Sequence, residues 1–355
     1  MDGKTGACAR SSQLIDVGDA GGCTRGYSRQ MIQTGQAVQV GIVVVSVAGL
    51  WIGARLLVDS VVRLARRVGL SELTIGLTVV AAGTSTPELV VTADAALVGL
   101  GDIAVGNVVG SNIYNLAFIL GVVSLLRVVP IERSLVHRDG VALLVSTFLG
   151  VYAISDSVVT RGEGAVLVGL FVAYIAFLLR SGITDEMSAD ADAPPGVTTT
   201  VTERIQFRGR DVVLLVAGLA IVLISGDLMV GSASELARGA GVSEWVIGGT
   251  IVAAGTSTPE FAVSLVAMRR GRLGVSVGNV VGSNVFNLLV IMGVGAVIRP
   301  LSLSGSIGLS LTWLVAVSVA VVAALWTGRR LSRAEGGLFA GSEVIRWVVG
   351  LLGLG

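Results

Sequence analysis

Two glutamates lie inside apolar stretches of this chain, each closing the same eight residues. The stretch AAGTSTPE occurs at Ala81–Glu88 and again at Ala253–Glu260. An acidic side chain at the centre of a bilayer costs ~2.5–3.5 kcal/mol even on the lenient insertion scale. No Lys or Arg falls at matching depth, so a salt bridge does not offset that cost, whereas a bound cation does. Thr84 lies one turn before Glu88, and Ser85 three residues before it. The two hydroxyls and the carboxylate can therefore share one helix face. Pro87 has no N–H to donate, which is expected to leave the carbonyl of Gly83 without its helical partner. Freed carbonyls on a broken transmembrane helix are natural cation ligands. Gly255, Thr256, Ser257, Pro259 and Glu260 repeat the pattern.

A second block, GNVVGSNIYN at Gly106–Asn115, has its twin GNVVGSNVFN at Gly278–Asn287. Asn107, Ser111 and Asn115 recur every four residues and form a polar stripe on an apolar helix, as do Asn279, Ser283 and Asn287. Ser111, Asn115, Ser283 and Asn287 are read as site residues. Asn107, Asn112, Asn279 and Asn284 serve equally well as bonds between helices. Gly106 and Gly110 make a small-xxx-small ridge for close packing. Every candidate ligand is a hard oxygen donor, a set that suits calcium, sodium or magnesium and disfavours copper or zinc. Two carboxylates balance one divalent cation or about two monovalent ones, and protons should compete with both.

The elements that position these residues must be membrane helices. Only 14% of the 355 residues are charged and 53% are hydrophobic. Soluble domains carry about 25% charged residues, so a soluble enzyme is excluded. Long apolar runs such as Val38–Val58 approach the roughly 20 residues that a span needs. The expected fold is an all-α integral membrane protein with about ten spans. They fall at 38–60, 73–98, 102–126, 140–157, 163–180, 210–231, 245–268, 274–298, 304–326 and 338–354. Residues 1–37 read as a flexible tail without a signal peptide, and Met31 is an alternative start. Residues 38–180 and 210–355 form two halves, and the Pro- and Asp-containing stretch 181–209 is a cytoplasmic linker. Cys8 and Cys23 imply no disulfide, and His137 sits in a loop. A net charge of +1, with no basic patch carrying aromatics, argues against nucleic acid.

Arginine placement orients this map. Arg63, Arg66, Arg67, Arg127, Arg133, Arg138, Arg180, Arg204, Arg208, Arg210, Arg269, Arg270, Arg272, Arg329, Arg330 and Arg333 fall on one set of loops. The alternate loops carry only Arg161, Arg238 and Arg299. The positive-inside rule places the first set in the cytoplasm and both termini outside. Between Gly76–Gly121 and Gly248–Gly293, about 26 of 46 positions are identical, too many for chance. The offset spans five expected helices, and an odd number inserts the second copy upside down. Inverted repeats of this kind place a transporter's site near the midplane where the halves meet.

The paired GTSTPE and GNVVGSN blocks resemble the repeats of the cation/calcium exchanger superfamily, in particular its prokaryotic sodium/calcium branch. The resemblance covers nearly all the chain beyond the tail. It implies calcium exchanged for sodium by alternating access, with spans 1 and 6 sliding past the rest. It puts Glu88 and Glu260 at the centre of the metal site, lined by Thr84, Ser85, Thr256 and Ser257 with the carbonyls of Ala81 and Ala253. Ser111, Asn115, Ser283 and Asn287 complete it. The ions are cargo and no cofactor is implied. The lipid bilayer is the surrounding partner, one chain is the functional unit, and the prokaryotic inner membrane is the expected location. The chain departs from many relatives at Thr86 and Thr258, where they carry Leu. It also has Asn at both 115 and 287, where potassium-dependent members use an acid; this argues against potassium co-transport. A proton-driven exchanger is the alternative. A gated channel fits less well, and an intramembrane enzyme lacks a zinc-ligand set or a nucleophile–base pair.

Overall fold

A computed structural model describes residues 20–68, 70–130, 135–191, 209–241, 253–303, 307–328 and 330–351. The chain opens with a helix, α1 (Ala20–Val68). It starts inside the stretch expected to be a tail, because no proline between Ala20 and Ala37 stops a helix from propagating. Next come α2 (Glu72–Thr84) and α3 (Thr86–Val98), two parts of one apolar segment bent by 48° at Ser85. Helix α4 (Gly101–Leu126) follows. A wide helical turn at Leu135–Gly140, containing His137, leads into α5 (Val141–Ile154) and α6 (Arg161–Ala191). The linker read from 181 is thus helical as far as Ala191, and residues 192–208 lie outside the described residues.

The second half begins with α7 (Gly209–Gly239). The start of the segment expected at 245–268 lies outside the described residues. Its remainder is a short turn α8 (Ala253–Thr256) and helix α9 (Thr258–Arg269). Helices α10 (Leu273–Ile298), α11 (Gly308–Gly328) and α12 (Arg333–Leu351) complete the chain. Among the described residues, six helices are long and apolar enough to cross a membrane, and the bent pair α2–α3 makes a seventh. Helices α4 and α10 are the centre of the molecule: 78% of each apolar window is buried, against 28%, 17% and 22% for α1, α6 and α7. A window that is apolar yet open on most sides must face lipid.

Two features lock the halves together. Gly121 on α4 meets Gly336 and Ala340 on α12, and the equivalent Gly293 on α10 meets Gly164 on α6. Without side chains at these crossings the backbones approach closely. The all-α expectation also needs a small amendment. Strand β1 (Val129–Pro130) pairs with β4 (Arg330–Leu331), and β2 (Val158–Val159) pairs with β3 (Leu301–Ser302). The helices before β1 and β3 end at Leu126 and Ile298, where Arg127 and Arg299 turn to extended backbone. In repeat numbering β1 matches β3 and β2 matches β4, so each bridge joins one half to the other.

Candidate functional site

The two breaks have the same local cause and shape. Ser85 (φ −81°, ψ 14°) and Ser257 (φ −89°, ψ 9°) leave the helical well at equivalent positions. The prolines that follow fall in the first turn of α3 and α9, where a missing N–H is tolerated. Glu88 and Glu260 occupy those same first turns, where the helix dipole favours a carboxylate. Both glutamates are fully buried.

The serines cross over. Ser85 Oγ donates to Glu260 Oε1 at 2.8 Å, and Ser257 Oγ donates to Glu88 Oε1 at 2.9 Å. The two motifs thereby form one polar centre. Thr84 Oγ1 donates to Asn279 Oδ1 at 3.1 Å and makes a long bond to the Ala81 carbonyl at 3.4 Å. That carbonyl also accepts the Ser85 amide at 3.0 Å. The backbone of Ala253 lies in the turn α8, and Thr256 beside it is half-buried.

One expectation is corrected. The Gly83 carbonyl is not left free by Pro87, because Thr86 Oγ1 donates to it at 2.8 Å. Thr258 similarly reaches the Ala254 carbonyl at 3.3 Å. These two threonines reach back across the breaks, from α3 to α2 and from α9 to α8.

The asparagines divide into three kinds. Asn107 Nδ2 donates to the Glu88 carbonyl at 3.0 Å and to Thr92 Oγ1 at 2.9 Å. Asn279 Nδ2 does the same to the Glu260 carbonyl at 3.3 Å and to Ser264 Oγ at 3.0 Å. This clamp fixes the backbone of each glutamate. Sequence reasoning did not assign it, although the separation of 19 residues is the same in both copies. Asn112 and Asn284 donate to the carbonyls four residues back, at 2.6 and 2.7 Å. Asn115 and Asn287 are fully buried, and neither amide atom of either residue has a hydrogen-bond partner among the described residues. The same holds for Glu88 Oε2, Glu260 Oε2, Ser283 Oγ, and the Oδ1 atoms of Asn112 and Asn284.

Orphaned buried polar groups cost about 1–3 kcal/mol each, so this many of them on the repeated motifs calls for a ligand. Most of these atoms are oxygens, the donor set of a hard cation. Among the described residues neither glutamate has an ion-pair partner. The named pairs lie elsewhere, Asp59 with Arg270 and Asp211 with Arg63 among them. Ser111 departs from its twin. It borders a cavity of about 50 Å³ shared with Gly106, Asn107, Gly110, Tyr114, Arg346 and Trp347.

The family model described as sodium/calcium exchanger protein matches residues 38–180 and 211–351. The chain belongs to this family. Its relatives include the sodium/calcium exchanger MaX1 of Methanosarcina acetivorans, 30% identical across 80% of this chain and 90% of that one. Inner membrane protein YrbG of Escherichia coli is 30% identical over 79% and 87% of the two chains. A structure of the sodium-calcium exchanger NCX_Mj, soaked with Na+ and Ca2+, superposes with a TM-score of 0.74 at 29% identity. It covers 90% of this chain and 99% of its own. Family membership and the apolar helices together make this an integral membrane protein of the exchanger fold.

Proposed function

We propose that this protein exchanges calcium for sodium across a membrane by exposing one central site to either side in turn. The site comprises Glu88 and Glu260 with Thr84, Ser85, Thr256, Ser257, Ser111, Asn115, Ser283 and Asn287, aided by the carbonyls of Ala81 and Ala253. The carrying observation is the pair of fully buried carboxylates, each bonded by the other half's serine and each keeping one oxygen unbonded. Two such charges accept one calcium or about two sodium ions, and a site that is neutral under either load suits competitive exchange. The protein itself needs no resident cofactor for this.

The finer arrangement belongs to the same proposal: ten spans as two inverted five-helix repeats, split at the segment 181–209, with both termini outside. The crossed serines, the glycine pairs and the two bridges support it, since each joins equivalent places of the halves reciprocally. The setting that fits is a prokaryotic inner membrane. Sodium-loaded proteoliposomes diluted into sodium-free buffer with calcium should take up calcium, and collapsing the sodium gradient should stop it. Uptake driven by a pH gradient alone would instead favour the proton-driven reading.

Each serine makes a charge-assisted bond to a carboxylate, worth about 1.5–3 kcal/mol. Ser85→Ala or Ser257→Ala should therefore raise the KM for calcium at least tenfold while the protein stays monodisperse. An unchanged KM in both would remove the serines from the site.

A further inference from the structure

Among the polar clusters outside the crossed centre, one borders the cavity beside Ser111. Glu343 on α12 is almost fully buried, and Arg346 one turn later grips it with two bonds of 2.8 and 2.5 Å. Arg346 also borders the cavity that touches Ser111. Trp347 stacks on Tyr114 at 5.7 Å, and Tyr114 on Phe118 at 5.0 Å; Phe118 meets Phe261, the neighbour of Glu260, at 5.8 Å. The ion pair is thus joined by packed rings to the residue beside one site carboxylate.

Depth locates the cavity. Helices α4 and α12 run antiparallel, since Gly121 meets Gly336 while Tyr114 meets Trp347. Gly106 lies five residues from the start of α4 and Arg346 five residues from Leu351, each about 7.5 Å inside its end. The cavity therefore sits between Ser111 and the face at which Gly101 and Leu351 lie. The other half is built differently there: its buried pair, Asp139 with Arg138, is carried by a different segment and is bonded by the Tyr174 hydroxyl. Phe171 and Tyr174 occupy the places equivalent to Glu343 and Arg346, and Phe171 packs edge-on against Phe286 at 5.4 Å.

We propose that Glu343 and Arg346 form a charge-balanced guard on a water route to Ser111, setting how readily a cation reaches the site from that face. The proposal rests on the exchange reading for its transport consequence and on geometry for the route itself. A bare guanidinium beside the path repels calcium, more strongly than sodium because the energy scales with charge. A bare carboxylate attracts it. Bound to each other, the two leave the path close to neutral.

The two single neutralisations should therefore act in opposite directions, which a merely structural pair would not do. The test uses the full chain with Cys8 and Cys23 replaced by serine and Gly106→Cys introduced, since Gly106 is exposed with no described atom within 4 Å of an added Cβ. The ratio of labelling rates with cationic and anionic methanethiosulfonates reports the local potential. R346Q should raise that ratio severalfold and E343Q should lower it. In liposomes, R346Q should lower the KM for calcium and E343Q should raise it, with Vmax retained. If E343Q does not fold, R346Q compared with the double variant R346Q/E343Q carries the same test, and the double variant should return both readouts toward the parent. Shifts of the same sign in both single variants overturn the proposal, as does an introduced thiol that neither reagent reaches in folded protein. Opposed labelling shifts without calcium flux would leave the route standing and sink the exchange reading instead.

Discussion

Glu88→Gln and Glu260→Gln should each reduce sodium-driven calcium uptake by at least a hundredfold without loss of folded protein. Gln keeps the shape and a carbonyl oxygen for the opposing serine, so the crossed bonds of Ser257 and Ser85 can persist. What disappears is one of two negative charges at a fully buried place with no ion-pair partner among the described residues. A single remaining charge cannot balance a divalent cation, and the Coulomb loss is large at low dielectric. The variants should also lose calcium-dependent stabilisation. A ligand at a hundred times its Kd adds about 2.7 kcal/mol to a protein that binds it only when folded. Thermal melting in detergent, with and without calcium, measures this directly. The parent should melt higher with calcium, and neither variant should respond. Equal calcium shifts in parent and variants would place the cation somewhere other than between these glutamates.

The second large effect concerns packing. A Cβ added at Gly278 would fall 2.6 Å from the Leu73 carbonyl oxygen, 3.0 Å from the Leu77 amide and 3.1 Å from the Cα of Gly76. All three are backbone atoms of α2, so no rotamer change relieves the clash, and the helix carrying Thr84 must move. Overpacking of side chains costs typically 1–3 kcal/mol; against backbone, about 3 kcal/mol or more is expected. Gly278→Ala should melt well below the parent, and Gly278→Val should yield little monodisperse protein. The equivalent Gly106→Ala should be neutral, because no described atom lies within 4 Å. Size-exclusion profiles and melting curves of the matched pair decide the point. Equal effects at both positions would mean that α4 and α10 pack alike.

That contrast marks where sequence reasoning stops. Glu88 and Glu260 stood out because an acid at membrane depth is costly and because the same motif occurs twice. The breaks at Ser85 and Ser257 followed from glycine and proline at fixed positions. Spacing along one helix, however, only tells which side chains share a face. It could not show that each serine bonds the other half's glutamate. Nor could it show that Thr86 takes up the Gly83 carbonyl, or that Asn107 and Asn279 clamp the glutamate backbones. The crossed bonds depend on how the two breaks face each other, the clamps on how α3 lies on α4 and α9 on α10, and the Thr86 bond on the local shape of the break. Glu343 escaped notice for a related reason. Its partner Arg346 is three residues away on the same weakly apolar helix, so the pair reads as an ordinary surface couple until α12 is laid against α4. The two strand bridges are short enough to leave no periodicity at all.

The crossed serines also bear on how the chain is made. Ser257 follows Glu88 by 169 residues. A ribosome adding about 5–20 residues each second needs roughly 10–30 s to cover that distance. Throughout that interval Glu88 is already synthesised while the hydroxyl it will finally bind does not yet exist. The first half on its own is therefore an assembly intermediate carrying an unanswered acid, and the insertion machinery or water must shelter it until the second half arrives. Severing the gene between the halves should make their pairing, rather than their individual insertion, the slow step.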